Sequence, residues 1–302
     1  MKTLKKNLQL QVIVPLVIAL IVLSGLAVYV EYYIESQKLT DAHLDTVRKA
    51  EWLMYEKVRE EVNTNAKLAD QFCRDPYFQE AMKSGDREQM AYLLNPIIPI
   101  LDSEYNLDYL CFQTADKRCF LEAEDPDTGI DFSQYLVMED KSRSDTAQYG
   151  IKMDSSGAFM LRYVHPWHVD GQLVGYVKMF KEIGHVNDIM KRTINIDTAI
   201  MINKSLLDRT KWQQRRDRLG WAGQWDMLDN VVLANGTSEP CSEEFVAYVQ
   251  EKCLGQYRSS EIPLISIDNE KHVVGSYDRI DFEGVAIGRL FVIRNVTDSI
   301  TA

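Results

Sequence analysis

The sequence predicts an α+β chain made of an N-terminal transmembrane helix, a long stalk helix and two antiparallel-sheet modules in tandem. Three observations carry this. Residues 12–30 form a charge-free apolar run, VIVPLVIALIVLSGLAVYV. Residues 36–72 keep a helical apolar stripe with no glycine or proline. After that, short alternating segments separated by turn residues occur twice, each time with helical stretches beside them, the pattern of sheets with helices on one face.

The apolar run as a helix covers about 28 Å, close to the thickness of a bilayer's hydrocarbon core. Tyr29, Tyr32 and Tyr33 sit at its far end, where amphipathic rings settle at the interface. Lys2, Lys5 and Lys6 precede it and Glu31 follows it, so the positive-inside rule leaves residues 1–11 as a cytoplasmic tail and exports the rest. The run exceeds a usual signal-peptide core and no A-x-A site follows, which favours an uncleaved single-pass anchor in a bacterial inner membrane. Residues 31–74 then form the stalk. Leu44, Val47, Met54, Val58, Val62, Ala66, Ala69 and Phe72 recur on one side of it, a stripe that fits either a second copy of the chain or the body that follows.

Asp75-Pro76 ends the stalk, and short helices are expected over residues 77–104. Hairpins are expected from 107–114 with 118–122 and from 152–153 with 159–165, then a strand over 172–181 and a helix over 184–192. A looser second series follows: a strand at 198–203, a helix at 208–220, a strand at 230–234, a helix at 243–252, and a hairpin of 272–278 with 285–292. The chain thus divides into a membrane-distal module, 75–184, and a membrane-proximal module, 185–302.

Composition limits function. The net charge is −11, from 34 basic and 45 acidic residues. The three residues Lys2, Lys5 and Lys6 are the only charges before Glu31, so the exported part is more acidic still. Nucleic acid, which is bound through Lys and Arg on phosphates, is not an expected partner. The five cysteines form no C-x-x-C pair, which excludes a zinc ribbon or thioredoxin-type site. In an exported body, Cys111 and Cys119 could staple adjacent strands and Cys241 and Cys253 could close a loop. No G-x-S-x-G, H-E-x-x-H, Walker or G-x-G-x-x-G motif occurs, so the chain is read as a non-enzyme with no cofactor.

Three stretches resemble the double Cache family of periplasmic sensors, tandem PAS-like domains found ahead of histidine kinases, chemoreceptors and diguanylate cyclases. They are residues 118–126 (RCFLEAEDP), 157–183 (GAFMLRYVHPWHVDGQLVGYVKMFKEI) and 201–212 (MINKSLLDRTKW). The second matches a G-x-x-LR-x-x-x-P…G…GYvE-x-x-x-EI pattern. The resemblance implies a small-ligand pocket in the distal module. It also implies a cytoplasmic output domain, which this chain does not carry and which lies in a missing segment or a separate partner. The sequence departs from the pattern where Glu122 and Glu124 stand for Arg and His, and Lys178 for Glu. If both ends of a contact have changed sign, the pocket's polarity is inverted.

The candidate ligand residues are therefore Tyr109, Glu122, Glu124, Arg162, Tyr176, Lys178 and Glu182, with a small polar, amine-bearing or cationic ligand as the expected partner. Surface cross-strand ion pairs are the bland alternative for the charged ones. His165-Pro166-Trp167-His168 is read as a turn without metal, because Pro166 disfavours the helix that would align both rings. Asp125, Asp127 and Asp131 fail the EF-hand spacing and are read as a solvated turn. The functional expectation is the ligand-sensing region of a membrane-bound receptor, homodimeric through the stalk. The alternative is an anchored adaptor that binds a partner protein and no small molecule; an exposed stalk stripe would favour it.

Overall fold

The computed structural model describes residues 2–124, 146–220, 223–235, 242–253, 264–280, 284 and 286–298. The expected anchor and stalk are one element, α1 (Lys2–Arg74), with no break between them. Nothing in residues 31–72 interrupts a helix, and Pro15 lies inside the apolar run, where a membrane-spanning helix tolerates a proline. Along Ile13–Ile34 the apolar side chains stand exposed. This is a helix long and apolar enough to cross a membrane. From Thr46 onward one face is buried: Ala50, Leu53, Met54, Val62, Leu68, Ala69, Phe72 and Cys73 join the main core.

Asp75 ends the register. Its carboxylate accepts from the N–H groups of Tyr77 and Phe78, Pro76 opens α2 (Pro76–Ser84), and Gly85 closes it at φ 72°. Asp86 caps α3 (Arg87–Leu94) in the same way, and α4 (Ile98–Tyr105) follows.

The first sheet contains β1 (Tyr109–Thr114), β2 (Cys119–Glu124), β3 (Gln148–Met153), β4 (Phe159–Val169) and β5 (Gln172–Glu182), ordered β2-β1-β5-β4-β3 and antiparallel throughout. Helix α5 (His185–Ile194) leads to the second sheet. Its strands are β6 (Asp197–Asn203), β7 (Val231–Asn235), β8 (Leu264–Ile267), β9 (Glu270–Ile280) and β10 (Ala286–Asn295), ordered β7-β6-β10-β9-β8. Both sheets have the same topology, with the first strand against the fifth. Helices α6 (Arg209–Leu219) and α7 (Glu243–Tyr248) lie between strands in sequence. Strand β8 is the one strand that the sequence pattern did not suggest.

Helix α1 packs on both sheets. Against the first, Phe72 meets Phe78 and Phe112 edge-on and Phe112 meets Trp167 tilted, with centroids 5.2–5.9 Å apart, and the Trp167 indole N–H donates to the Cys73 carbonyl. Against the second, Val47 lies over Gly275, where an added Cβ would come within 2.3 Å of its Cγ2. Asp45 pairs with Arg294 at 3.1 Å. From Val47 to Phe72 the apolar stripe of the stalk packs on the chain's own modules, and only Leu44 of it stays exposed, so it offers the adaptor reading little support. A homodimer through the stalk would have to use its outward side, where Leu44, Trp52 and Tyr55 are exposed.

The two modules also touch directly. The β3–β4 turn is built by Asp154, whose Oδ1 accepts from the Ser156 N–H, the Ser156 hydroxyl and the Ala158 N–H. Gly157, at φ 86°, packs beside Trp212, Ile202 and Leu207 of the second module, and the Asp208 N–H donates to the Ser155 carbonyl.

Candidate functional site

Strand alternation sends the two faces of the first sheet to different tasks. Leu110, Phe112, Leu161, Tyr163, Trp167, Val177 and Met179 join the core that α1 covers. The opposite face carries the positions expected to bind ligand, the Glu124 side chain being outside the described ones. The register puts Glu124, Tyr109, Phe180 and Arg162 on one rung, and Glu122, Cys111, Lys178 and Val164 on the next. Gln113, Tyr176 and Pro166 make a third rung, and Glu182 stands opposite Met160.

On the first of these rungs the Tyr109 and Phe180 rings stack, with centroids 5.1 Å apart and planes 14° apart. The Arg162 guanidinium lies 6.0 Å from the Phe180 centroid on the other side. Ring, ring and cation thus form a continuous row across β1, β5 and β4. The Tyr109 hydroxyl donates to Glu122 Oε2 at 3.0 Å. Burial, with Cys111 and Glu122 nearby, pushes this phenol well above its ordinary range, so it stays a donor. Tyr109, Cys111, Ala158, Met160 and Phe180 form a small apolar cluster of their own. Among them sit buried polar groups: Arg162, Lys178 at 2% exposure and Gln113 at 3%. Glu122 remains exposed.

Two expectations change. Glu122 and Lys178 do not face each other across neighbouring strands, because β1 runs between β2 and β5 and Cys111 separates them on the rung. The idea of a directly swapped ion pair therefore fails on topology, although both charges share the face. Glu182 is engaged elsewhere: its carboxylate pairs with Arg215 of α6, and its N–H donates to Asp108 Oδ2 at 2.6 Å. It links the two modules at the rim of the sheet.

His165 and His168 lie in strand β4, not in a turn. Pairing of β4 with β3 stops at Val164, so among the described residues Pro166 has a strand partner only in β5, a position that tolerates a missing N–H. His165 is held neutral chiefly by burial, with its Nδ1 3.2 Å from the Tyr163 hydroxyl. Among the described residues no cluster of three or more metal-ligating side chains occurs. Asp125, Asp127, Asp131 and the Cys241–Cys253 pairing lie outside the described residues or side chains.

Gln113 escaped the sequence reading. Its side-chain Oε1 is buried and accepts no hydrogen bond, which costs about 1–3 kcal/mol unless a donor arrives. Period-two alternation from Tyr109 would have found it. Arg215 could not have been found this way, because α6 has almost no apolar periodicity to orient it.

A family described as "Double sensory domain of two-component sensor kinase" matches residues 54–229, more than half of the chain. No curated protein matches it significantly. Among solved structures, the sensory domain of the Campylobacter jejuni chemoreceptor Tlp3 is similar at 9% identity and a TM-score of 0.48, covering 91% of this chain and 99% of that one. The ligand-binding domain of the same receptor in complex with L-valine gives 9% identity and 0.47, covering 91% and 98%. That of the Pseudomonas fluorescens chemoreceptor CtaA in complex with L-serine gives 12% identity and 0.39, covering 86% and 99%.

Proposed function

The chain belongs to the family of double sensory domains of two-component sensor kinases, and from that premise we propose that it is the ligand-sensing region of a membrane-anchored receptor. Residues 12–30 anchor it as a single pass in the bacterial inner membrane, with the modules outside the cytoplasm. A cytoplasmic output domain, in a further segment or a partner chain, receives the signal. Two copies associate through the outward side of α1, at Leu44, Trp52 and Tyr55.

The ligand site is the face of the first sheet turned away from α1. The observation that carries this reading is the set of buried polar groups there, Gln113 above all, inside an otherwise apolar row of rings. A small polar ligand bearing an amine meets the Glu122 carboxylate, the Gln113 oxygen and the Tyr109 ring. Glu124, Tyr176, Arg162 and Lys178 complete the site.

Strand β5 carries the signal. Lys178 and Phe180 face the ligand, Lys181 reaches back to Glu61 of α1 at 2.6 Å, and Glu182 holds Arg215. A ligand that prefers one position of β5 biases both the stalk and the second module, and only through that preference.

A thermal-shift screen of the full chain in detergent, using amines, amino acids, their N-acetyl derivatives and plain carboxylates, tests the proposal. Stabilisation by free amines and loss of it on N-acetylation is the expected result. Stabilisation by carboxylates alone rejects the amine site, and no stabilisation by any class favours the adaptor.

A further inference from the structure

Cys111 and Cys119 are both free thiols, and their Sγ atoms lie 3.9 Å apart on the ligand face. A bulge brings them together. Phe112 pairs with Leu121 and Gln113 with Cys119, so Phe120 has no partner and Cys119 is turned onto the same side as Cys111. Cys119 is exposed and Cys111 is buried. The Cys119 thiol also donates to Glu122 Oε2 at 3.7 Å, the oxygen that accepts from Tyr109.

We propose that Cys111 and Cys119 are a redox pair that closes reversibly into a cross-strand disulfide and shifts Glu122 as it does so. The oxidant is a small-molecule or protein disulfide. The Cys119 thiolate attacks one of its sulfurs, forming a mixed disulfide and expelling one thiolate. Cys111 then attacks the Cys119 sulfur, forming the internal bond and expelling the second thiolate. The two protons lost by the cysteines end on the two expelled thiols, and the two electrons go to the oxidant.

Exposure gives Cys119 the first step, and burial reserves Cys111 for the second. Burial pushes the Cys111 thiol up to about 12, partly offset by the Lys178 ammonium. Cys119 is also raised, by burial first and by Glu122 second. Reaction is therefore slow near neutrality and faster with rising pH. Cys119 stands diagonal to Cys111 and not opposite it. Diagonal neighbours are separated by about 7 Å between Cα atoms, at the upper limit of what a disulfide spans. Closing the bond draws β2 along β1. Such strained, accessible bridges are the readily reduced ones. Oxidation also removes the thiol proton that Cys119 offers to Glu122.

The test equilibrates the full chain in detergent with oxidised and reduced glutathione, quenches with acid, alkylates and digests with trypsin. Cleavage after Lys117 and Arg118 separates the cysteines, so a bridge appears as two linked peptides. The expected result is a linked pair that rises with the oxidised fraction, reverses on reduction, and vanishes in Cys119→Ser with Cys111 left as thiol. A glutathione adduct on Cys119 with Cys111 still free, or both thiols unreacted, overturns the pair. The shift of Glu122 rests on the amine-site reading, and an amine found by the thermal-shift screen probes it separately. Affinity for that amine differing several-fold between the two redox forms is expected, and equal affinity overturns that half while leaving the disulfide standing.

Discussion

Replacing Glu61 by alanine separates the stalk from the strand that links it to the sensing face. Glu61 accepts from Lys181 at 2.6 Å and from His185 Nε2 at 3.1 Å, and the Glu61 and Lys181 side chains are only 17% and 6% exposed. Removing the carboxylate strands the Lys181 ammonium in a buried place, a loss of about 3–5 kcal/mol for pairs of this kind. At about 2–4 °C per kcal/mol for chains of this size, the midpoint should fall by roughly 6–20 °C. Lys57–Glu60 is the control: it is equally short at 2.7 Å, but Glu60 is 63% exposed. Glu60→Ala should cost at most about 1 kcal/mol. Thermal melts followed by circular dichroism in detergent compare the two variants. The acid limb gives a second reading. Burial raises the Glu61 carboxyl, but the bonds from His185 and Lys181 outweigh it and leave it below its usual 4.5. Its stabilisation is therefore complete above that value and is lost as pH falls through the lowered one. Equal melting of the two variants, or an acid limb unchanged in Glu61→Ala, would refute the reasoning.

Three further outcomes are expected. Gly175→Ala builds a Cβ 2.1 Å from the Gln113 carbonyl oxygen and 2.3 Å from Met82 Cε; the backbone clash cannot be relieved by a rotamer, and at least about 3 kcal/mol should be lost in melts. His43 and His165 are both held below their usual 6.5, chiefly by burial, so stability present above that pH should decline as it drops through their lowered values, and a His43→Gln, His165→Gln double variant should flatten melting curves recorded between pH 7.5 and 5.5. Gly275→Ala pushes against Val47 of α1; hydrogen exchange should rise along residues 43–50 relative to residues 61–73, which pack on the other sheet.

Much of this fold was legible because its signals are local. Period-two alternation and turn residues marked β1, β2, β4 and β5, and Asp75-Pro76 marked the end of α1. Alternation also put Glu122 with Glu124, and Tyr176 with Lys178, on one side of their own strands, and the register joins these into one face. What failed needed knowledge of which strands are neighbours. The insertion of β1 between β2 and β5 is a non-local pairing, and it alone decides that Glu122 and Lys178 are separated by Cys111. Glu182 read as a ligand residue because its partner, Arg215, comes from the other module. The histidines of β4 were misread because Pro166 signals a turn, whereas here it sits inside a strand paired with β5. Strand β8 is four residues long and only partly buried, too short to show alternation.

The most direct test is a calorimetric titration of the full chain and its Glu122→Arg variant with the amine that stabilises it best. Tyr109→Phe serves as the control for the lost hydroxyl contact. Reversing a charge that pairs with the ligand should weaken binding by about 30-fold or more, from the 2–5 kcal/mol typical of such pairs, and Tyr109→Phe should cost far less. Undiminished affinity in Glu122→Arg would contradict a sensing site on this face of the sheet.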